Sequence, residues 1–138
     1  MRADIFLFYW SMRLLSWLPL RVLQAMGAGM GMLLLWRQSA SARHMAANLH
    51  IVRPDDSAAE HQHLLQAVAR ESGKSAWEII KIWGGGAERA LHLVREVRGE
   101  ALLDAALAKG SGVIIAAPHL GCWEVLNYWL CRKTPMAI

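Results

Sequence analysis

Residues 113 to 124 read Val-Ile-Ile-Ala-Ala-Pro-His-Leu-Gly-Cys-Trp-Glu, and the interpretation of the chain turns on them. Val113 to Ala117 are small or β-branched apolar residues, the composition of a buried strand. Pro118 ends that strand because a proline has no N–H to give to a sheet. His119 then falls just past the strand's carboxyl end, where open α/β sheets tend to place their chemistry. Glu124 to Arg132 reads as the next helix, with Val125, Leu126, Trp129 and Leu130 as its apolar residues. Upstream, Ala90 to Val97 reads as a strand, with a short helix as the alternative, and Arg98-Gly99 turns the chain. Glu100 to Ala108 reads as a helix, and Lys109 to Gly112 leads into the central strand. Pro135 to Ile138 resembles the opening of a further strand. This alternation predicts an α/β class, the start of a mostly parallel sheet flanked by helices, with right-handed crossovers.

The separation of His119 and Glu124 has a geometric meaning. On one continuous helix, residues five apart point about 140° away from each other. With His119 on the turn and Glu124 in the first helical turn, the carboxylate can reach back to the imidazole. Gly121 makes such a turn inexpensive. A carboxylate held to one ring nitrogen fixes the tautomer and leaves the other nitrogen as a base able to deprotonate a hydroxyl. No better nucleophile is at hand, since Cys122 has no evident second base and no G-x-S-x-G elbow is present. A core histidine is the plainer account of His119, and the isolated spacing is a weak signal.

The run from Gly99 to Leu130, a helix ending in Lys109-Gly110-Ser111-Gly112, an apolar strand and then His-x-Gly-x-Trp-Glu, resembles the bacterial lipid A biosynthesis acyltransferases of the H-x4-D/E type. Arg43, Asn48, Leu49 and Pro54 are similar to that family's upstream R-x4-N-L block. The resemblance implies late acyl transfer in lipid A assembly, with His119 as general base and Glu124 as its orienting, charge-stabilising partner. It implies an acyl carrier protein as donor and a phosphorylated glucosamine lipid as acceptor. Substrate contacts are expected at Gly121, Cys122 and Trp123, with the amides of Gly121 and Cys122 as oxyanion donors. No metal or organic cofactor is implied. The expected location is the cytoplasmic face of a bacterial inner membrane. Cys122 stands where family members often carry asparagine. Members also continue well past position 138, so the chain reads as an amino-terminal portion, an incomplete acyltransferase domain spanning residues 37 to 138. Two rivals remain: transfer to another glycolipid or a glycerolipid, and a non-catalytic, membrane-bound remnant.

Composition and charge frame the amino-terminal part. The chain has 138 residues, of which 55% are hydrophobic, and a mean hydropathy of +0.24, above an ordinary soluble domain. Residues 1 to 53 hold six arginines against Asp4, a net of +5; residues 54 to 138 hold nine basic and ten acidic residues, a net of −1. The excess positive charge lies with the apolar end, which points to an anionic membrane surface or a phosphorylated lipid and away from nucleic acid. Residues 1 to 36 read as a membrane-anchoring helical segment. Arg13, Pro19 and Arg21 interrupt it, so a tilted single span competes with a pair of helices lying in the surface. A signal peptide fits less well, because Arg13 splits the apolar core and no A-x-A-like site follows. Trp10, Trp17 and Trp36 suit an interfacial belt, and equally a core. Gly27 and Gly31 form a G-x-x-x-G able to bring helices close. With Gly29 between them, plain flexibility is the simpler account.

The remaining features argue mostly for packing. Arg37 to Pro54 reads as a helix ending before the proline, with His44 and His50 as surface or packing residues and a solvated basic face. Asp55, Asp56 and Ser57 offer a cap for a helix from Ala58 to about Trp83, broken near Ser72-Gly73. His61 and His63 are two apart and face apart, so a metal site is not expected there. Trp77 and Glu78 could line an acyl groove, although core packing is the safer reading. Gly84-Gly85-Gly86 ends the helix and is no phosphate loop, since no G-K-[ST] follows. Cys122 and Cys131 are expected to be reduced.

Overall fold

The computed structural model describes residues 3–118 and 120–137. The chain divides into two compact units, residues 1–85 and 86–138.

In the first unit, α1 (Ala3–Leu15), α2 (Leu20–Trp36), α3 (Ala40–Val52) and α4 (Ala58–Gly85) are joined by short turns. The α1–α2 break falls at Ser16 to Pro19, where the proline cannot continue an intrahelical ladder. Ser39 caps α3, its hydroxyl accepting from the Ala42 amide at 3.2 Å. At the start of α4, Ser57 and Glu60 form a reciprocal capping box. The Glu60 carboxylate accepts from the Ser57 amide at 2.8 Å and from its hydroxyl at 2.6 Å, and the Ser57 hydroxyl accepts from the Glu60 amide at 3.3 Å. α4 runs unbroken through Ser72-Gly73.

Gly73 has a positive use there. A Cβ on Gly27 would collide with the Gly73 carbonyl, and one on Gly31 with the Ala69 carbonyl. The G-x-x-x-G of α2 therefore seats its backbone on an Ala69-x-x-x-Gly73 stripe of α4, and flexibility is not its purpose. Leu23 of α2 and Ile82 of α4 are both buried, toward the end of the crossing where Gln24 meets Glu78. Gln24 donates to Glu78 at 2.6 Å, so Glu78 serves packing between α2 and α4. At the far end of α4, Gly84 lets the Met12 carbonyl approach. The Lys81 ammonium donates to the Ser16 and Leu18 carbonyls at 2.8 and 2.7 Å, supplying partners for groups that α1 leaves open at its end.

The second unit contains α5 (Ala87–Leu91), α6 (Glu100–Ala108) and α7 (Glu124–Lys133), with Ala90 and Leu130 buried where α5 meets α7. Lys133 of α7 reaches Glu100 at 2.5 Å and Asp104 at 2.7 Å, tying α6 to α7. These bonds, Asp104 first, raise the ammonium's pKa above its ordinary value.

Two expectations need correction. The predicted α/β class fails: among the described residues there is no strand and no parallel sheet. A strand persists only as one side of a hydrogen-bonded ladder. The first part of the predicted 90–97 strand spends its backbone groups locally instead, His92 on Glu88 at 3.2 Å, Leu93 on Ala90 at 3.0 Å and Val94 on Leu91 at 3.0 Å. Val113 to Ala117 then has no ladder partner and runs as exposed irregular chain, with Ile114 wholly exposed. The expected membrane-associated helices lose their spanning form as well. No helix among the described residues is long and apolar enough to cross a membrane. With 13 residues in α1 and 17 in α2, each falls short of the ~30 Å hydrocarbon core at about 1.5 Å per residue.

Candidate active site

Of the predicted site residues, Gly121 to Glu124 lie at the entry to α7, within the second unit. His119 lies outside the described residues. The Leu120 amide donates to the Pro118 carbonyl at 2.8 Å. Gly121 follows at φ +63, the left-handed region that a side chain disfavours, with open space where a Cβ would stand. Gly121 takes this backbone conformation three residues before α7 begins. Trp123, half-buried, occupies the cap position at φ −62 and ψ −20. The Val125 and Leu126 amides donate back to the Cys122 and Trp123 carbonyls at 3.2 and 3.0 Å, so helical bonding begins at once.

Glu124 is the first residue of α7, where the amino-terminal end of the helix favours negative charge. It is half-buried. The Cys122 thiol donates to Glu124 Oε2 at 3.7 Å. Cys122 thus has a polar contact to the very carboxylate singled out in the sequence, through a weak donor in place of a stronger amide. Sequence reasoning passed over this contact. Its signal was the i, i+2 spacing across a helix start, which brings a cap-region side chain back over the first turn.

The helix that carries Glu124 also walls an apolar cavity of about 480 Å³. Val125, Leu126 and Trp129 of α7 line one side, and Leu103 of α6, Val97 and Ile115 the others. The α7 residues were legible as an apolar face. Ile115 was read as a buried strand residue and is instead a partly exposed wall of this cavity. Among the described residues no three histidine, cysteine or acidic side chains converge as a metal site would require. The arrangement therefore offers a half-buried carboxylate at a helix start and, on the same helix, an apolar recess within the ~300–1,000 Å³ range of small-molecule sites.

The model of the bacterial lipid A biosynthesis acyltransferase family matches residues 2–137, and the chain belongs to that family. It is also similar to the phosphatidylinositol mannoside acyltransferases of Mycobacterium tuberculosis strains CDC 1551 / Oshkosh and ATCC 25618 / H37Rv. Each is 43% identical over 44 residues, which is 32% of this chain and 14% of the relative. The aligned stretch is thus a small part of those relatives' length. No solved structure gives a significant match.

Proposed function

We propose that this protein transfers a fatty acyl group from acyl carrier protein to a hydroxyl of a phosphorylated glucosamine lipid, a lipid A precursor. The observation that carries this reading is the family match across residues 2–137, which takes in the His119-x4-Glu124 sequence. His119 would act as general base, removing the acceptor's hydroxyl proton as the oxygen attacks the thioester carbonyl. Glu124 would hold and charge-stabilise the resulting imidazolium. The tetrahedral intermediate then expels the carrier's thiol, which takes the proton back from His119. Amides at Gly121 and Cys122 would donate to the oxyanion. The cavity along α7 supports an apolar acyl chain lying beside Glu124.

The substrates are anionic lipids, and the exposed aromatic face of α1 supports attachment to the cytoplasmic surface of the bacterial inner membrane rather than passage through it. A second reading of the acceptor is favoured by the two mycobacterial phosphatidylinositol mannoside acyltransferases: a phosphoinositol glycolipid in place of a lipid A precursor.

Mass spectrometry of total lipid extracts from source cells, with the gene intact and with His119→Ala, tests the reading. The expected result is loss of one acyl chain's mass from lipid A in the variant. Loss from a phosphoinositol glycolipid would transfer the reading to the second acceptor. Unchanged lipids with the protein still present would overturn His119 as the base.

A further inference from the structure

A larger cavity lies in the first unit, about 590 Å³ between α2, α3 and the start of α4, built only from residues 32 to 66. On α3, Arg43, Ala46 and His50 follow at spacings of three and four and so share one face. Met32 and Leu35 of α2 and Leu65 of α4 complete an apolar floor. The two ends of that floor differ. At one, His61 Nε2 donates to the Arg53 carbonyl at 3.0 Å, and its ring stands edge-on to His50 with centroids 4.1 Å apart. These imidazoles are occupied by each other and by the backbone. At the other, one Arg43 N–H donates to the Gln38 carbonyl at 2.6 Å, fixing the side chain at the α2–α3 turn. Among the described residues no carboxylate pairs with Arg43, and its other donors have no protein partner.

We infer that this cavity binds one long-chain fatty acid, its carboxylate on Arg43 and its chain along Ala46, Leu35 and Leu65. Two observations select that occupant. The lining supplies a single permanent charge, which balances a carboxylate, whereas a phosphate monoester would bring about −1.5 to −2. The apolar floor of Met32, Leu35 and Leu65 beside that charge suits the hydrocarbon chain of the same acid. The guanidinium fork matches a carboxylate's two oxygens. This inference uses none of the residues given a role in the acyl-transfer step, His119 and Gly121 to Glu124, and stands or falls apart from it.

The test is fluorescence titration of the full chain with cis-parinaric acid, followed by displacement with palmitic acid, methyl palmitate and a lysophosphatidic acid. Palmitic acid is expected to displace the fluorescent acid about tenfold more effectively than its uncharged ester, the ratio a charged hydrogen bond of about 1.4 kcal/mol gives. Arg43→Gln, at an exposed position, should erase that preference. Ala46→Phe should fill the floor and abolish binding while circular dichroism stays helical. Equal displacement by acid and ester, or an Arg43→Gln protein with parent behaviour, would overturn the inference. So would binding that survives Ala46→Phe, since it would lie on the exposed face of α1. Stronger displacement by lysophosphatidic acid would overturn the carboxylate in favour of a phosphate head.

Discussion

Gly29 and Gly31 sit two residues apart on α2 and meet opposite surroundings. Gly31 is buried against the Ala69 carbonyl, and a Cβ there has nowhere to go because the obstacle is backbone; Gly29 faces open space with nothing within 4 Å. Gly31→Ala should therefore force α2 off α4 and lower stability by about 1–3 kcal/mol, the usual scale of overpacking. Gly29→Ala, exposed in a helix interior, should raise stability by up to about 1 kcal/mol through helix propensity alone. Urea unfolding followed by circular dichroism separates the two, and equal effects of both substitutions would refute the packing account. The sequence displays three glycines at alternate positions and cannot say which face meets another helix. The missing information is the partner stripe Ala69-x-x-x-Gly73, whose Gly73 lies 46 residues from Gly27 and whose Ala69 lies 38 residues from Gly31, and which is visible only once α4 is paired with α2. Cys122 illustrates the same limit over a shorter distance: its contact to Glu124 depends on where helical bonding begins.

Elements whose bonding is local were legible. The start of α4 was expected at Ala58 from Asp55-Asp56-Ser57, and the capping box shows why Ser57 is the one that serves: Glu60 stands three residues on. The helices at 100–108 and from 124 onward were likewise legible from apolar spacing and flanking glycines. Val113 to Ala117 was not, because a strand's existence is decided by a second segment and the composition reports only suitability. The capping box also has a pH signature. Bonds from the Ser57 hydroxyl and then its amide hold the Glu60 carboxyl below the ordinary carboxylate range. Since the folded value is the depressed one, its stabilising effect is complete above the unfolded carboxylate pKa and fades as pH falls through the folded value. Acid should therefore fray the first turn of α4. NMR titration of the Glu60 carboxyl and the Ser57 amide should show both moving together, and Ser57→Ala should return the carboxyl toward its ordinary range while costing about 1 kcal/mol. A Glu60 titration indifferent to Ser57→Ala would contradict the capping box.

At the scale of the whole molecule, the uneven charge was plain from the sequence, but which apolar residues stay uncovered was not. Ile5 to Trp10 are all at least half exposed, as are Leu14 and Trp17 at about 74% and 73%, because α1 packs on α4 through Met12 and Ser16 and leaves its first half bare. The sequence of residues 1 to 53 also carries six arginines against a single aspartate. Two terms should then hold the chain to a lipid surface: burial of the aromatic side chains, which salt does not weaken, and attraction of arginines to anionic headgroups, about 1 kcal/mol each near the surface. At 1 M salt the screening length falls to about 3 Å and only the first survives. Sedimentation of the full chain with vesicles should accordingly be greater with phosphatidylglycerol present than with phosphatidylcholine alone, and the difference should vanish in high salt. A double change, Phe6→Ser with Trp10→Ser, should lower binding to both vesicles at every salt concentration, since it removes the term that screening cannot reach. Equal binding to neutral and anionic vesicles at low salt would remove the arginines from the account. A chain that stays in the supernatant with both would refute surface attachment, and the exposed face of α1 would then need a protein partner to cover it.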